Sequence, residues 1–187
     1  MDGDAVINIM ITGGAGFLGA RLARDLLAAG SLAVAGGAAR PIGGLTLADQ
    51  APVPADLTVD QRVTALCGEL AELIRPGGPG WAALTGATVI FHLAAAVSAE
   101  CEADFDLGLR ANLGATEALL DACRATGSKP LLVFASSLAV FGNSPEHPLP
   151  ATSSMPSASR SRASRAPRKP APPVIMMFIN GVPVPLQ

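Results

Sequence analysis

The stretch Ile11-Thr12-Gly13-Gly14-Ala15-Gly16-Phe17-Leu18-Gly19 restricts the fold of this chain more than any other, because an apolar run, Val6 to Ile11, ends in it and a helical pattern leaves it. Gly13, Gly16 and Gly19 recur at every third position. That spacing suits a strand-to-helix turn in which one glycine allows the bend, one lets backbone approach a pyrophosphate, and one packs helix on strand. The N-terminus of the helix then supplies N–H groups and partial positive charge for an anion. A glycine triplet alone also fits a tight turn in any α/β protein; the strand before it and the amphipathic helix after it favour nucleotide binding.

Residues 17–29 place Phe17, Leu18, Leu22, Leu26 and Leu27 at helical spacing, and Gly30 follows as a stop. Residues 30–44, rich in Gly and Ala with Pro41, read as a loop. The next strand, 45–48, ends at Asp49. A carboxylate there either accepts hydrogen bonds from ribose hydroxyls and repels a 2′-phosphate, favouring NAD over NADP, or is a solvated turn residue. Residues 62–67 read as a third strand, and Glu69 beyond it is placed either to reach an adenine amino group or to start a helix. Residues 70–84 are broken by Pro76-Gly77-Gly78-Pro79-Gly80 into a short helix, a loop and a turn around the packing residue Trp81.

Residues 88–93 form a fourth strand, a continuous apolar run of the kind buried in a parallel sheet. His92 inside it reads as a satisfied core histidine rather than a catalyst, and Ala94-Ala95-Ala96 leave room for a cofactor at the strand's carboxyl end. Residues 101–126 read as one long helix with Phe105, Leu109, Leu113, Leu119, Leu120 and Cys123 on a broad apolar face. Asn112, mid-helix, is either an exposed polar position or part of a site. Residues 131–135 are the fifth strand; Ser136 and Ser137 at its end offer a hydroxyl to a substrate oxygen or cap the next turn. Strands alternating with helices imply an α/β fold: a Rossmann-type doubly wound parallel sheet, these five strands in the order 3-2-1-4-5.

No run of about twenty apolar residues exists, so no membrane span is expected. Met1-Asp2-Gly3-Asp4 has the wrong charge for a secretory signal, which points to a cytoplasmic protein. Cys67, Cys101 and Cys123 are odd in number and lack a C-x-x-C pair, so neither disulfides nor a metal site is expected. All 15 acidic residues precede residue 151, whereas 151–187 carry bases and no acid. The chain therefore divides into a nucleotide-binding domain, 1–150, and a Ser/Arg/Pro-rich tail, 151–187, disordered or associated with the sheet edge. The apolar run 174–179 is suited to adding an edge strand or to aggregating. Without interleaved aromatics, the tail's five bases make only a weak case for nucleic acid against a disordered tail, and no nucleic-acid partner is expected.

Three segments together resemble the extended short-chain dehydrogenase/reductase family, the NAD-dependent epimerase/dehydratases. They are Thr12-Gly13-Gly14-Ala15-Gly16-Phe17-Leu18-Gly19, Phe91-His92-Leu93-Ala94-Ala95, and Ser136-Ser137-Leu138-Ala139-Val140-Phe141-Gly142. Glu100-Cys101-Glu102-Ala103-Asp104-Phe105-Asp106 is similar to the D-erythronate dehydrogenase branch. The resemblance implies NAD as cofactor: Gly13, Gly16 and Gly19, with Phe17 and Leu18, at the pyrophosphate, Asp49 at the ribose, Glu69 and Leu70 at the adenine, and Leu93, Ala94 and Ala95 lining the channel. It implies that Asn112 supports the active site and Ser137 orients a substrate hydroxyl. Family members often dimerise through the helices around 101–126 and after Ser137, which implies a homodimer.

The family's base is the tyrosine of Y-x-x-x-K, and this chain contains no tyrosine. Where that helix belongs stands a biased Ser/Arg/Pro/Ala segment, Ser157 to Pro170. The change after about Pro150 is what a chain truncated or altered there, for example by a shifted reading frame, would show. The expected function is NAD-dependent oxidoreductase or epimerase chemistry on a small hydroxy acid or sugar-like substrate, catalytically impaired. The alternatives are a non-catalytic NAD-binding module or partner-binding fragment, and an unstable remnant with an open sheet edge.

Overall fold

The computed structural model describes residues 6–136 and 174–178. Apolar alternation in β1 (Ile7–Thr12) organises it: Ile7, Ile9 and Ile11 face one side of the sheet and Met10 the other. On the first side they meet Ala20, Ala23 and Leu26 of α1 (Phe17–Ala29) and Leu57 of the short α2 (Ala55–Thr58). β3 (Ala39–Asp49) and β5 (Val89–His92) flank β1, both parallel to it. β4 (Val63–Cys67) continues from β3, and β6 (Leu131–Ser136) from β5. On the second side, Met10, Ile90 and Leu132 pack against α3 (Leu70–Ile74), α4 (Trp81–Gly86) and α7 (Ala115–Thr126). Helices thus cover both faces of a parallel sheet ordered β4-β3-β1-β5-β6, the doubly wound Rossmann arrangement. Val174–Phe178 adds a seventh strand, β7, parallel to β6. Ser137 and residues 138–173 lie outside the described residues, as does most of the tail.

The glycine turn is jammed between its neighbours. A Cβ on Gly19 would overlap the Gly13 carbonyl oxygen, and one on Gly13, at φ +74°, would lie 2.8 Å from the Ala94 nitrogen. Glycine at 19 therefore lets α1 sit this low on the turn, and glycine at 13 lets the turn lie against the chain leaving β5. Its other end is closed by Gly30, in the left-handed conformation, whose N–H donates to the Leu26 carbonyl at 2.9 Å.

Three elements differ from the sequence reading. The turn expected around Trp81 is the helix α4, whose Leu84 is buried against the second core. Residues 30–44 are a hairpin rather than a loop, with β2 (Ser31–Ala33) antiparallel to the start of β3. Ala35 (φ 53°) and Gly36 (φ 78°) are both left-handed and the Gly37 N–H closes on the Val34 carbonyl, a turn that matches strand twist. The single helix expected over 101–126 is broken. α5 (Ser98–Ala103) stops at Asp104, whose carboxylate accepts the Leu107 N–H and caps α6 (Phe105–Gly108). A π-helical turn, Leu109–Gly114, follows before α7. The anticipated apolar face divides accordingly: Leu119 and Cys123 are core, while Phe105, Leu109 and Leu113 are exposed.

His92 stitches the strand ends. It is 1% exposed, its Nδ1 lies 2.6 Å from Thr12 Oγ1 and its Nε2 3.0 Å from Thr116 Oγ1. Burial pushes its pKa down to about 4. Burial also pushes the Cys123 thiol up to about 11, so it packs as an inert hydrophobe; all three cysteines are free.

Gly19→Ala is expected to cost about 3 kcal/mol in urea unfolding, the upper end of overpacking, because the obstacle is backbone. Gly16→Ala, whose Cβ would meet only the Gly13 carbonyl oxygen at 3.4 Å and whose extended backbone suits alanine, is expected to change stability by about 0.5 kcal/mol or less. The unfolded chain holds the His92 proton more tightly than the folded chain, so acid favours unfolding. Stability is expected to be level above the unfolded value of 6.5 and to fall as pH drops toward 4, by on the order of 3 kcal/mol. Urea midpoints across this window, compared with those of His92→Gln, check the slope.

Candidate functional site

A crevice of about 410 Å³ opens at the carboxyl ends of the parallel strands, within the usual size of a ligand pocket. Gly13, Gly16, Asp49, Glu69, Leu70, Leu93, Ala94 and Ala95 line it, so most of the cofactor candidates converge. Phe17, Leu18 and Gly19 form the adjoining first turn of α1. Asn112 stands behind the wall, and Ser137 lies outside the described residues.

The turn's N–H groups divide into two sets. Those of Gly13 and Gly14 donate to the Ala48 carbonyl at 2.8 and 3.2 Å, and that of Gly16 donates to Gly13. The Ala15 N–H donates to Asp49 Oδ2 at 2.9 Å. Helix geometry leaves those of Phe17, Leu18 and Gly19 without intrahelical acceptors, since the first such bond runs from Ala20 to the Gly16 carbonyl. Phe17 is 87% exposed, so what it offers an anion is its backbone and not its ring. The space over Gly16 is open: a Cβ there would fill it without striking backbone, which suits close approach by a phosphate.

Asp49, at the end of β3, accepts from Ala15 through one oxygen and from the Ala51 N–H at 3.0 Å through the other. Two lone-pair sites remain for further donors such as ribose hydroxyls. Beside it, Gln50 Nε2 donates to Glu69 Oε1 at 3.0 Å, drawing the ends of β3 and β4 together. Asp49, Glu69 and Glu100 place three carboxylates in the lining, with no Lys or Arg among the described residues there.

Asn112 grips the crevice floor from behind. Its Oδ1 accepts the Ala96 N–H at 2.8 Å and its Nδ2 donates to the Ala96 carbonyl at 3.2 Å. This paired bond holds the π-helical turn against the loop after β5. The sequence reading missed Gln50 and the wall made by Leu107, Ala111 and Ala115. The wall's signal was present, because these residues recur every fourth position on one helical face; the larger apolar residues beside them drew the assignment away. Thr12 was also missed. Nothing in an apolar strand marks its hydroxyl, which accepts the Ala94 N–H at 3.3 Å.

Among the described residues no group of three or more His, Cys, Asp or Glu side chains is placed to hold a metal ion. No described helix is long and apolar enough to cross a membrane.

The NAD dependent epimerase/dehydratase family matches residues 9–164. A D-erythronate dehydrogenase of Cupriavidus necator is 47% identical over 139 residues, covering 73% of this chain and 40% of that protein. The crystal structure of a nucleoside-diphosphate-sugar epimerase from Agrobacterium tumefaciens matches with a TM-score of 0.62 and 38% identity, over 75% of this chain and 40% of that one. MoeE5, solved in complex with UDP-glucose and NAD, matches with a TM-score of 0.56 and 27% identity, over 74% and 39%. The chain spans about two fifths of the length of these relatives. With the family match covering most of its length, and its strand order, glycine turn and acid-ended third strand all in place, the chain belongs to the NAD dependent epimerase/dehydratase family.

Proposed function

We propose that the crevice binds NAD and that the chain descends from an NAD-dependent oxidoreductase acting on a small hydroxy acid or sugar-like substrate. The observation that carries this reading is the first turn of α1, whose free N–H groups border the open space over Gly16 while Asp49 faces the same crevice. In this reading the pyrophosphate is held by the N–H groups of Phe17, Leu18 and Gly19. Asp49 accepts the adenosine ribose hydroxyls, Glu69 and Leu70 flank the adenine, and Leu93, Ala94 and Ala95 form the channel floor. The carboxylates favour NAD over NADP by charge repulsion. The NAD-bound relative and the D-erythronate dehydrogenase support the cofactor and substrate classes respectively.

Bound NAD would supply a hydride acceptor for a carbinol carbon. The hydroxyl proton must then go to a base, help typically worth about 10²–10⁴-fold. With no tyrosine in the chain, the base that the resemblance implies is missing. Ser137 is proposed to orient a substrate hydroxyl, which a serine does without acting as the base, and Asn112 to support the floor. The missing tyrosine favours a second reading for this molecule, a cofactor-binding module without turnover. With either reading go the division into a binding domain, 1–150, and a tail, 151–187, a homodimer as the assembly, and a cytoplasmic location.

Calorimetric titration tests the reading. Saturable NAD binding is expected, weaker for NADP, lost in Gly16→Val and weakened about tenfold or more in Asp49→Ala, the scale of hydrogen bonds to a charged group. No heat at millimolar NAD, from protein shown by circular dichroism to be folded, overturns it. NADH formation from hydroxy acids is expected not to exceed that of enzyme-free controls; clear turnover overturns the impairment.

A further inference from the structure

We propose that His92 is a positioning residue for the crevice floor, a neutral imidazole whose Nδ1 accepts from Thr12 and whose Nε2–H donates to Thr116, tying both ends of the floor to one buried ring. What this means for ligand clearance rests on the cofactor reading above; the role itself rests on hydrogen-bond accounting.

The chain of bonds has a single consistent direction. Thr12 Oγ1 accepts the Ala94 N–H at 3.3 Å, and its own proton is free to point at His92 Nδ1, 2.6 Å away. Thr116 Oγ1 donates its proton to the Asn112 carbonyl at 2.6 Å, so toward His92 Nε2, 3.0 Å away, it presents lone pairs. A hydroxyl has one proton and two acceptor sites, so these commitments select the Nε2–H tautomer. The opposite tautomer would set a bare Nε2 against an oxygen whose proton is already used. Burial, which pushes the imidazole pKa down to about 4, keeps it neutral near pH 7. Among the described residues no buried side-chain nitrogen or oxygen lacks a partner, so the ring is fully satisfied as drawn.

The ends of this chain are what give it a role beyond packing. Thr12 immediately precedes the glycine turn and holds the Ala94 N–H; Asn112 holds the Ala96 N–H and carbonyl. Ala94 and Ala96 are both floor residues of the crevice. Through Thr12 and through Thr116 with Asn112, His92 therefore sets where the floor lies relative to the turn on one side and the π-helical turn on the other. A ring that merely filled space would do neither.

Heteronuclear NMR on the ¹⁵N-labelled full chain tests this without any ligand. Long-range imidazole correlations are expected to show the neutral Nε2–H tautomer of His92 at pH 7. His92→Phe is expected to speed exchange of the Ala94 and Ala96 amides about tenfold relative to the Ile11 amide in β1, the equivalent of one net hydrogen bond at each. His92→Asn, which restores an acceptor near the Nδ1 position, is expected to protect Ala94 and not Ala96; His92→Gln, which restores a donor near Nε2, is expected to do the reverse. An Nδ1–H tautomer, or variants that speed all three amides alike, overturns the proposal, and the wild-type and Asn/Gln measurements decide it even if the Phe variant does not fold. NAD titration of the same wild-type sample separates the two readings. Failure to bind NAD removes the cofactor assignment, while the exchange pattern still decides the role of His92.

Discussion

The contact between Gly19 and the Gly13 carbonyl is the constraint on which the rest of the site depends. A helix can rest this close to the preceding turn only where Gly19 carries no Cβ, while the absence of a Cβ on Gly13 lets the turn lie against the Leu93–Ala94 backbone at the end of β5. The end of β3 then completes the arrangement. The Ala48 carbonyl and the Asp49 carboxylate take up the N–H groups of Gly13, Gly14 and Ala15, so the turn is held by protein and only the helix's own first turn is left for a ligand. Asp49 thereby shapes the turn as well as facing the crevice.

Much of this was legible in the sequence, for a physical reason. Glycine spacing, apolar runs and stop residues are local signals, and α1 runs over the span that its periodicity and Gly30 indicate. The hairpin at 31–41 was not legible because its Gly and Ala residues, which read as breakers, supply the left-handed turn that joins two strands. The breaks between α5 and α7 escaped notice for a different reason. They are imposed by Asp104 capping α6 and by Asn112 reaching Ala96, contacts that hydrophobic periodicity does not record. Asn112 itself carried two equally weighted readings, and only the position of the loop after β5 shows what its carboxamide bonds. Thr12 and Thr116 are the extreme case: their hydroxyls matter only because a fold brings residues eighty and twenty-four positions away to His92.

The edge of the sheet beyond β6 illustrates how composition and fold interact. The family match ends at residue 164, and β7 is built from Val174–Phe178, after it. Its parallel pairing, from Leu132 with Val174 to Ser136 with Phe178, occupies backbone groups of β6 that would otherwise stand open for pairing with another chain. A β-prone apolar run is well suited to this whatever its origin, because a ladder is made by backbone and asks little of sequence beyond a tendency to extend.

More than half of the residues lining the crevice are glycine or alanine. Such residues have no rotamers to freeze, so a ligand settling on them avoids the ordering cost of about 0.5–1.5 kcal/mol that each flexible side chain adds. The same rigidity removes the capacity to adapt. A pocket walled by long side chains can repack around a bulkier guest, but one walled by main chain must move whole strands or helices. Discrimination between similar ligands therefore falls to the few longer polar side chains, Asp49, Gln50, Glu69 and Glu100, and because these also hold the turn, the strand ends and the start of α5, specificity and local architecture are set by the same groups.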